Sequence, residues 1–109
     1  MARVEVSPAA AEDLARLRVT HRLPADTNAR VRRSIRSLGR FPRLGTALEG
    51  AGLEARGWEG FRFVLGPWRW MIIVYDVYED EDRVVIATIQ DGRSSTAATV
   101  ALELPADDA

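Results

Sequence analysis

The chain has no cysteine and no lysine, a single histidine, and no long hydrophobic run. Without thiols there is no disulfide framework, no thiolate zinc site and no cysteine nucleophile, and a lone His21 cannot anchor a histidine-rich metal cluster. Neither a metal nor a cofactor is expected. The longest uninterrupted apolar stretch, Trp70 to Tyr75, falls far short of the roughly 20 residues that a membrane span needs. The first residues contain no hydrophobic signal core. These absences lead to the expectation of a soluble, cytoplasmic protein with no membrane contact.

What is present suits one compact core. The 109 residues are 47% hydrophobic and 28% charged, ordinary values for a single globular domain. We read 1–102 as that domain and 103–109 as a short acidic tail. The formal net charge of −1 argues against a protein that binds polyanions over its whole surface. That average conceals a segregation. Between Arg16 and Arg43 there are nine arginines and one acid, Asp26, an excess of eight positive charges. Acid is concentrated in Asp76, Glu79 to Asp82, and Asp107-Asp108.

The hydrophobic period changes along the chain. Arg3 to Ser7 alternates as a short strand with one buried face. Ser7-Pro8 reads as a helix start, with Ala10, Leu14 and Leu17 following at helical spacing. Leu23-Pro24 breaks that helix, and a second begins near Asp26, carries Val31, Ile35 and Leu38 on one stripe, and stops at Gly39. Phe41 to Gly60 is rich in glycine, which predicts turns and at most one short strand around Leu53 to Arg56. Phe61 to Leu65, Trp68 to Val77 and Arg83 to Ile89 then read as strands of an antiparallel meander, separated by Gly66-Pro67 and Glu79 to Asp82. The fold class expected is α+β: an N-terminal strand, then an antiparallel helical hairpin on one face of a sheet of three or four antiparallel strands.

Alternation along Phe61 to Leu65 sets Arg62 apart from Phe61, Phe63 and Leu65, and in the next segment sets Arg69 with Met71, Ile73 and Tyr75. Arg62 and Arg69 are thus candidates for one uncovered sheet face, with Arg93 swung toward it by the Asp91-Gly92 turn. Three guanidiniums there would form a phosphate site, because their forks match phosphate oxygens and stay charged near neutral pH. The alternative is that each arginine snorkels or pairs with a nearby acid. In the second helix Arg32, Arg33, Arg36 and Arg40 fall on neighbouring positions of the non-core face, a candidate surface for RNA phosphate or for an acidic protein partner, or else a solvated helix face. Trp58, Trp68, Trp70, Met71, Ile72 and Ile73 exceed what a thin two-layer domain readily buries, so some are expected to serve a protein partner.

Several fragments in order carry a resemblance: Val6-Ser7-Pro8-Ala9 with Asp13-Leu14, Ile35 to Gly45, Leu48-Glu49-Gly50, Phe61-Arg62, Gly66-Pro67-Trp68-Arg69, Val74-Tyr75 and Asp91-Gly92-Arg93. Together, from about Val4 to about Ala98, they resemble the RelE/ParE toxins of type II toxin–antitoxin systems. The resemblance implies a small bacterial toxin neutralised by a cognate antitoxin. In the RelE branch such a toxin is a metal-independent endoribonuclease that cuts mRNA on the ribosome by attack of the 2′-hydroxyl on the adjacent phosphate. Basic residues stabilise the charge that develops there. Carried onto this sequence, those residues are Arg62, Arg69 and Arg93. Val64 stands where a second basic residue belongs, and Thr99 where the family's proton-transferring tyrosine belongs. Arginine alone is a poor general acid or base, which leaves Tyr75 and Asp91 as substitutes and His21 as a surface residue. The ParE branch shares the fold and poisons DNA gyrase by protein contact, without the nuclease residues. Three functions therefore stand open at this point: a ribosome-dependent nuclease, a gyrase inhibitor, and a catalytically silent module that only pairs with its antitoxin.

Overall fold

The computed structural model describes residues 1–47 and 60–92. Strand β1 (Arg3–Val6) leads into α1 (Pro8–Thr20) and α2 (Thr27–Arg36), which continues into a single 3-10 turn at Ser37–Gly39. Then follow β2 (Thr46–Ala47), β3 (Arg62–Leu65), β4 (Met71–Tyr78) and β5 (Arg83–Asp91). The architecture is α+β, as the periodicity predicts. The sheet has five strands rather than three or four, in the order β1-β5-β4-β3-β2. It is also mixed: β1 runs parallel to β5, with Val4 opposite Val84 and Val6 opposite Ile86, whereas the other pairings are antiparallel. Alternation along a strand reports which face is buried and says nothing about its partner, so this parallel edge was not legible beforehand. The strand expected at Leu53 to Arg56, the tail from Glu103 and the domain boundary before it lie outside the described residues.

Both helices form where capping and patterning place them. The Ser7 hydroxyl accepts the Ala10 N–H at 3.1 Å while Pro8 fills the first turn, and Ala10 and Leu14 are buried below it. Asp26 precedes α2 without capping it; its carboxylate takes the Arg30 Nε at 3.0 Å instead. Val31, Ile35 and Leu38 form the buried stripe, with Leu38 contributed by the 3-10 turn.

The register of β5 joins α1 to the sheet. In β4 the fully buried Met71, Ile73 and Tyr75 alternate regularly, but their partners in β5 do not: Ile73 faces Ile89 and Tyr75 faces Ile86. A bulge between Val74 and Tyr75 on one strand and Ile86 and Thr88 on the other absorbs the extra residue. It lets both Ile86 and Ile89 point at the helices. A bulge leaves ladder groups unpaired, and α1 supplies the partners. The Ser7 hydroxyl donates to the Ala87 carbonyl at 3.1 Å. Asp13 accepts the Ile89 N–H at 3.1 Å and the Thr88 hydroxyl at 2.6 Å.

Replacing Asp13 with Ala strands the Ile89 N–H and the Thr88 hydroxyl beneath α1. Since hydrogen bonds to charged groups contribute about 1.5–3 kcal/mol and an orphaned donor adds its own penalty, urea unfolding is expected to show a loss of about 2–3 kcal/mol. A loss within about 0.5 kcal/mol, the range of an ordinary surface substitution, would show that Asp13 does not hold the helix to the bulge.

Candidate functional site

The hairpin of β3 and β4 carries two of the candidate arginines, and its geometry separates them. Arg62 pairs in register with Tyr75 and Leu65 with Ile72. The Met71 N–H closes back on the Trp68 carbonyl at 2.9 Å, and the Gly66 N–H on the Met71 carbonyl at 2.8 Å. Trp68 to Trp70 therefore belong to the turn, not to the strand that alternation predicts. Arg69 stands exposed in that turn, while Arg62 opens β3, three residues and about 10 Å of extended chain before Leu65, where the strand ends. Nor does Arg62 face the uncovered side of the sheet. Opposite Tyr75, it shares the face of Ile73 and Ile86, which the helices cover. The expected meeting of Arg62 and Arg69 on an open face is thus not what the hairpin provides, because the turn is longer than two residues and the strand begins later. Arg93 and Thr99 lie outside the described residues.

Arg62 has a different occupation. Its Nη1 donates to the Gly45 carbonyl at 2.7 Å and to the Arg43 carbonyl at 3.3 Å. The Tyr75 hydroxyl donates to the Pro42 carbonyl at 2.8 Å and accepts the Gly45 N–H at 2.8 Å. Between them, Arg62 and Tyr75 hold residues 42–45 against the sheet. Gly45 is required for that approach. A Cβ there would meet the Phe63 carbonyl oxygen at 2.5 Å and the Tyr75 hydroxyl at 2.7 Å. Tyr75 is fully buried, and burial raises its phenol above the ordinary value against the opposing pull of the Gly45 N–H and the Arg62 charge. Both hydrogen-bonding capacities of its hydroxyl are committed, so it is not free to shuttle a proton.

Asp91 and His21, read separately from sequence as a turn residue and a surface residue, form a pair. The His21 Nε2 lies 2.9 Å from an Asp91 oxygen, and Asp91 is only 6% exposed. The imidazole ring packs on Trp70 at 4.5 Å between centroids, Trp70 stacks on Trp68 at 6.0 Å, and the Arg30 guanidinium covers Trp68 at 5.8 Å. This chain of contacts joins the end of α1, the β3–β4 turn, α2 and the end of β5. Of the apolar residues from which some were expected to serve a partner, Met71 and Ile73 are fully buried, Ile72 is half-buried, Trp68 and Trp70 pack against the core, and Trp58 lies outside the described residues. The one sequence signal for the pair was an acid closing an apolar strand, since a buried carboxylate needs a partner.

At the other end of the sheet an open groove of about 650 Å³ lies between the 40–44 segment and the β4–β5 turn. Phe41, Leu44 and Tyr78 are exposed along it, and an ion pair between Arg43 and Glu79 crosses its rim. Of the second-helix candidates, Arg32, Arg33, Arg36 and Arg40 are all exposed. Among the described residues no group of three or more His, Asp or Glu side chains is placed to hold a metal, and no helix is long and apolar enough to cross a membrane.

Comparison with known proteins bears on this arrangement. The family described as the ParE toxin of the type II toxin–antitoxin system parDE matches residues 4–95. No curated protein matches the chain. Among solved structures, the RelBE2 toxin–antitoxin complex of Mycobacterium tuberculosis contains a chain similar over 83% of this one and 90% of its own, at 22% identity and a TM-score of 0.55. The intact E. coli RelBE complex matches over 86% of this chain and all (100%) of that one, at 12% identity and a TM-score of 0.56. The isolated E. coli RelE toxin matches over 94% and 97% respectively, at 13% identity and a TM-score of 0.56. At such identities the likeness is one of fold.

The Tyr75 hydroxyl generates a pH prediction. Its folded value lies above the unfolded one, so the stability it contributes is complete below about pH 10 and falls as pH rises toward the folded value. Thermal unfolding is expected to show this alkaline decline in the native protein and to lack it in Tyr75→Phe. That variant should also lose about 1–3 kcal/mol at neutral pH by orphaning the Gly45 N–H and the Pro42 carbonyl. An identical alkaline decline in both proteins would mean that another group is responsible.

Proposed function

Because the chain belongs to the ParE toxin family, within the RelE/ParE superfamily of type II toxin–antitoxin toxins, we propose that it acts by protein contact, with DNA gyrase as its target and a cognate antitoxin as its neutralising partner. The observation that carries this reading is the commitment of Arg62. A guanidinium that stabilises a scissile phosphate must be free to move its hydrogen bonds onto the oxygens that gain charge in the transition state. Arg62 instead donates to the carbonyls of Gly45 and Arg43, at the opposite end of the hairpin from Arg69.

Proton transfer supports the same conclusion. Cleavage by a 2′-hydroxyl needs a base for that hydroxyl and an acid for the leaving oxygen. Tyr75 has donated and accepted its hydrogen bonds within the loop clasp, and His21 and Asp91 engage one another. A toxin that blocks a protein target needs none of these groups. The antitoxin reading rests on family membership and on the neighbouring folds, which come from toxin–antitoxin complexes. It is common to the gyrase, nuclease and silent readings.

Induction of the protein alone in a bacterium, with a supercoiling assay on purified gyrase and mapping of mRNA ends, tests the proposal. Growth arrest with blocked supercoiling and intact mRNA is expected, and Arg69→Ala should arrest growth as the native protein does. Ribosome-dependent mRNA cuts that disappear in Arg69→Ala would replace this reading with the endoribonuclease, built on Arg62, Arg69 and Arg93. Unimpaired growth would leave only the antitoxin-binding module.

A further inference from the structure

Six of the thirteen arginines described in this protein are engaged by acids or backbone carbonyls. Arg3 pairs with Glu5, Arg16 with Asp13, Arg30 with Asp26, Arg43 with Glu79, and Arg83 with Glu5 and Glu81. Arg62 is committed to backbone carbonyls. Four of the others cluster on one surface. Arg32, Arg33 and Arg36 on α2, and Arg40 one turn beyond, are exposed, and among the described residues no hydrogen bond or ion pair engages them. Arg33 acts on Asp26 only through space. Arg32 and Arg36 stand one turn apart on α2, about 6 Å along its axis, with Arg33 beside them, and Arg40 closes the 3-10 turn that continues the helix. On α1, across a cleft that Arg32 also lines, the Arg18 Nε is buried without a hydrogen-bond partner.

We propose that this face of α2 is a binding surface for the phosphodiester backbone of a nucleic acid. The inference is independent of the toxin's protein target. Four like charges within about three helical turns repel one another in the free protein, and an extended polyanion relieves that repulsion while filling the guanidinium forks. Spread from Arg32 to Arg40, these side chains are too far apart for a single phosphate group to satisfy. A membrane surface is disfavoured because the apolar stripe of α2, Val31 and Ile35, is buried in the core and leaves nothing to insert. A protein interface is disfavoured for a related reason. Such interfaces centre on apolar or aromatic anchors, whereas the exposed residues of α2 are Asn28, Ala29, Arg30, Arg32, Arg33 and Arg36, none a large apolar side chain. Contacts to phosphate carry no sequence information, so binding should be insensitive to base sequence.

Fluorescence anisotropy of the full chain with a mixed-sequence DNA duplex of about 20 base pairs, and separately with a single-stranded RNA of about 20 nucleotides, provides the test. Four phosphate contacts predict a log–log salt slope of about −3 to −4 on the duplex, equivalent to about a 100-fold loss of affinity between about 50 and about 200 mM salt. On the single strand the slope should be about −3. Which of the two binds more tightly identifies the natural polymer, and tight binding of either supports the proposal. Each single Arg→Gln substitution at Arg32, Arg33, Arg36 or Arg40 should make the slope shallower by about one, and the fourfold variant should not bind. Gln suits a helix and these positions are exposed, so an unchanged melting temperature will separate lost binding from lost fold. Arg3→Gln and Arg43→Gln, which remove the same charge from paired positions, should leave the slope unchanged. The proposal is overturned by retained binding in the fourfold variant, by an equal effect of the paired-position controls, or by binding to poly-glutamate with neither nucleic acid bound.

Discussion

The bulge in β5 is the constraint on which the rest of the packing depends. Val84, Ile86 and Ile89 must all face the helices, yet strict alternation would turn Ile89 outward. One extra residue restores the face, at the cost of backbone groups that the ladder can no longer satisfy. Ser7 and Asp13 on α1 satisfy them. Ser7 thereby does two things at once, capping the helix through Ala10 and holding the sheet through Ala87. The position of α1 is set by hydrogen bonds as well as by apolar burial, which has no directional preference of its own.

A second set of directional contacts decides what the β3–β4 hairpin can do. Arg62 and Tyr75 face each other across the strands and turn their polar ends to the same loop. A loop that runs over a buried tyrosine must find partners for its carbonyls and amides, and these two side chains supply them. That requirement removes Arg62 from the pool of free cations and Tyr75 from the pool of available acids and bases. Chemistry expected of the hairpin as a catalytic surface is redirected into structure. This is the physical ground for preferring a toxin that acts by contact.

The charge pattern divides in a similar way. Arginines near the acidic β4–β5 turn and the β1 edge are neutralised locally, and Arg30 pairs with Asp26 at the start of α2, whereas among the described residues Arg32, Arg33 and Arg36 pair with no acid. A net charge of −1 therefore coexists with a concentrated positive surface. Net charge alone describes neither half of the molecule.

The two helices with their start and stop signals, the strands other than β2, and the buried stripe of Val31, Ile35 and Leu38 were legible from residue spacing, because local periodicity and capping depend on neighbours within a few positions. The two-residue β2 at Thr46–Ala47 is too short to carry a period. The family resemblance was legible too, from short motifs kept in order. The place of Arg62 was not. Its face depends on the register against Tyr75, and its partners lie 17 and 19 residues away in sequence. The pairing of His21 with Asp91 and the parallel seat of β1 beside β5 were hidden for the same reason: both join residues from opposite ends of the described chain. Sequence determined which side chains are available and which segments carry them. Only the tertiary structure, through register and the need to satisfy every buried polar group, decided which of those side chains are still free to bind something else.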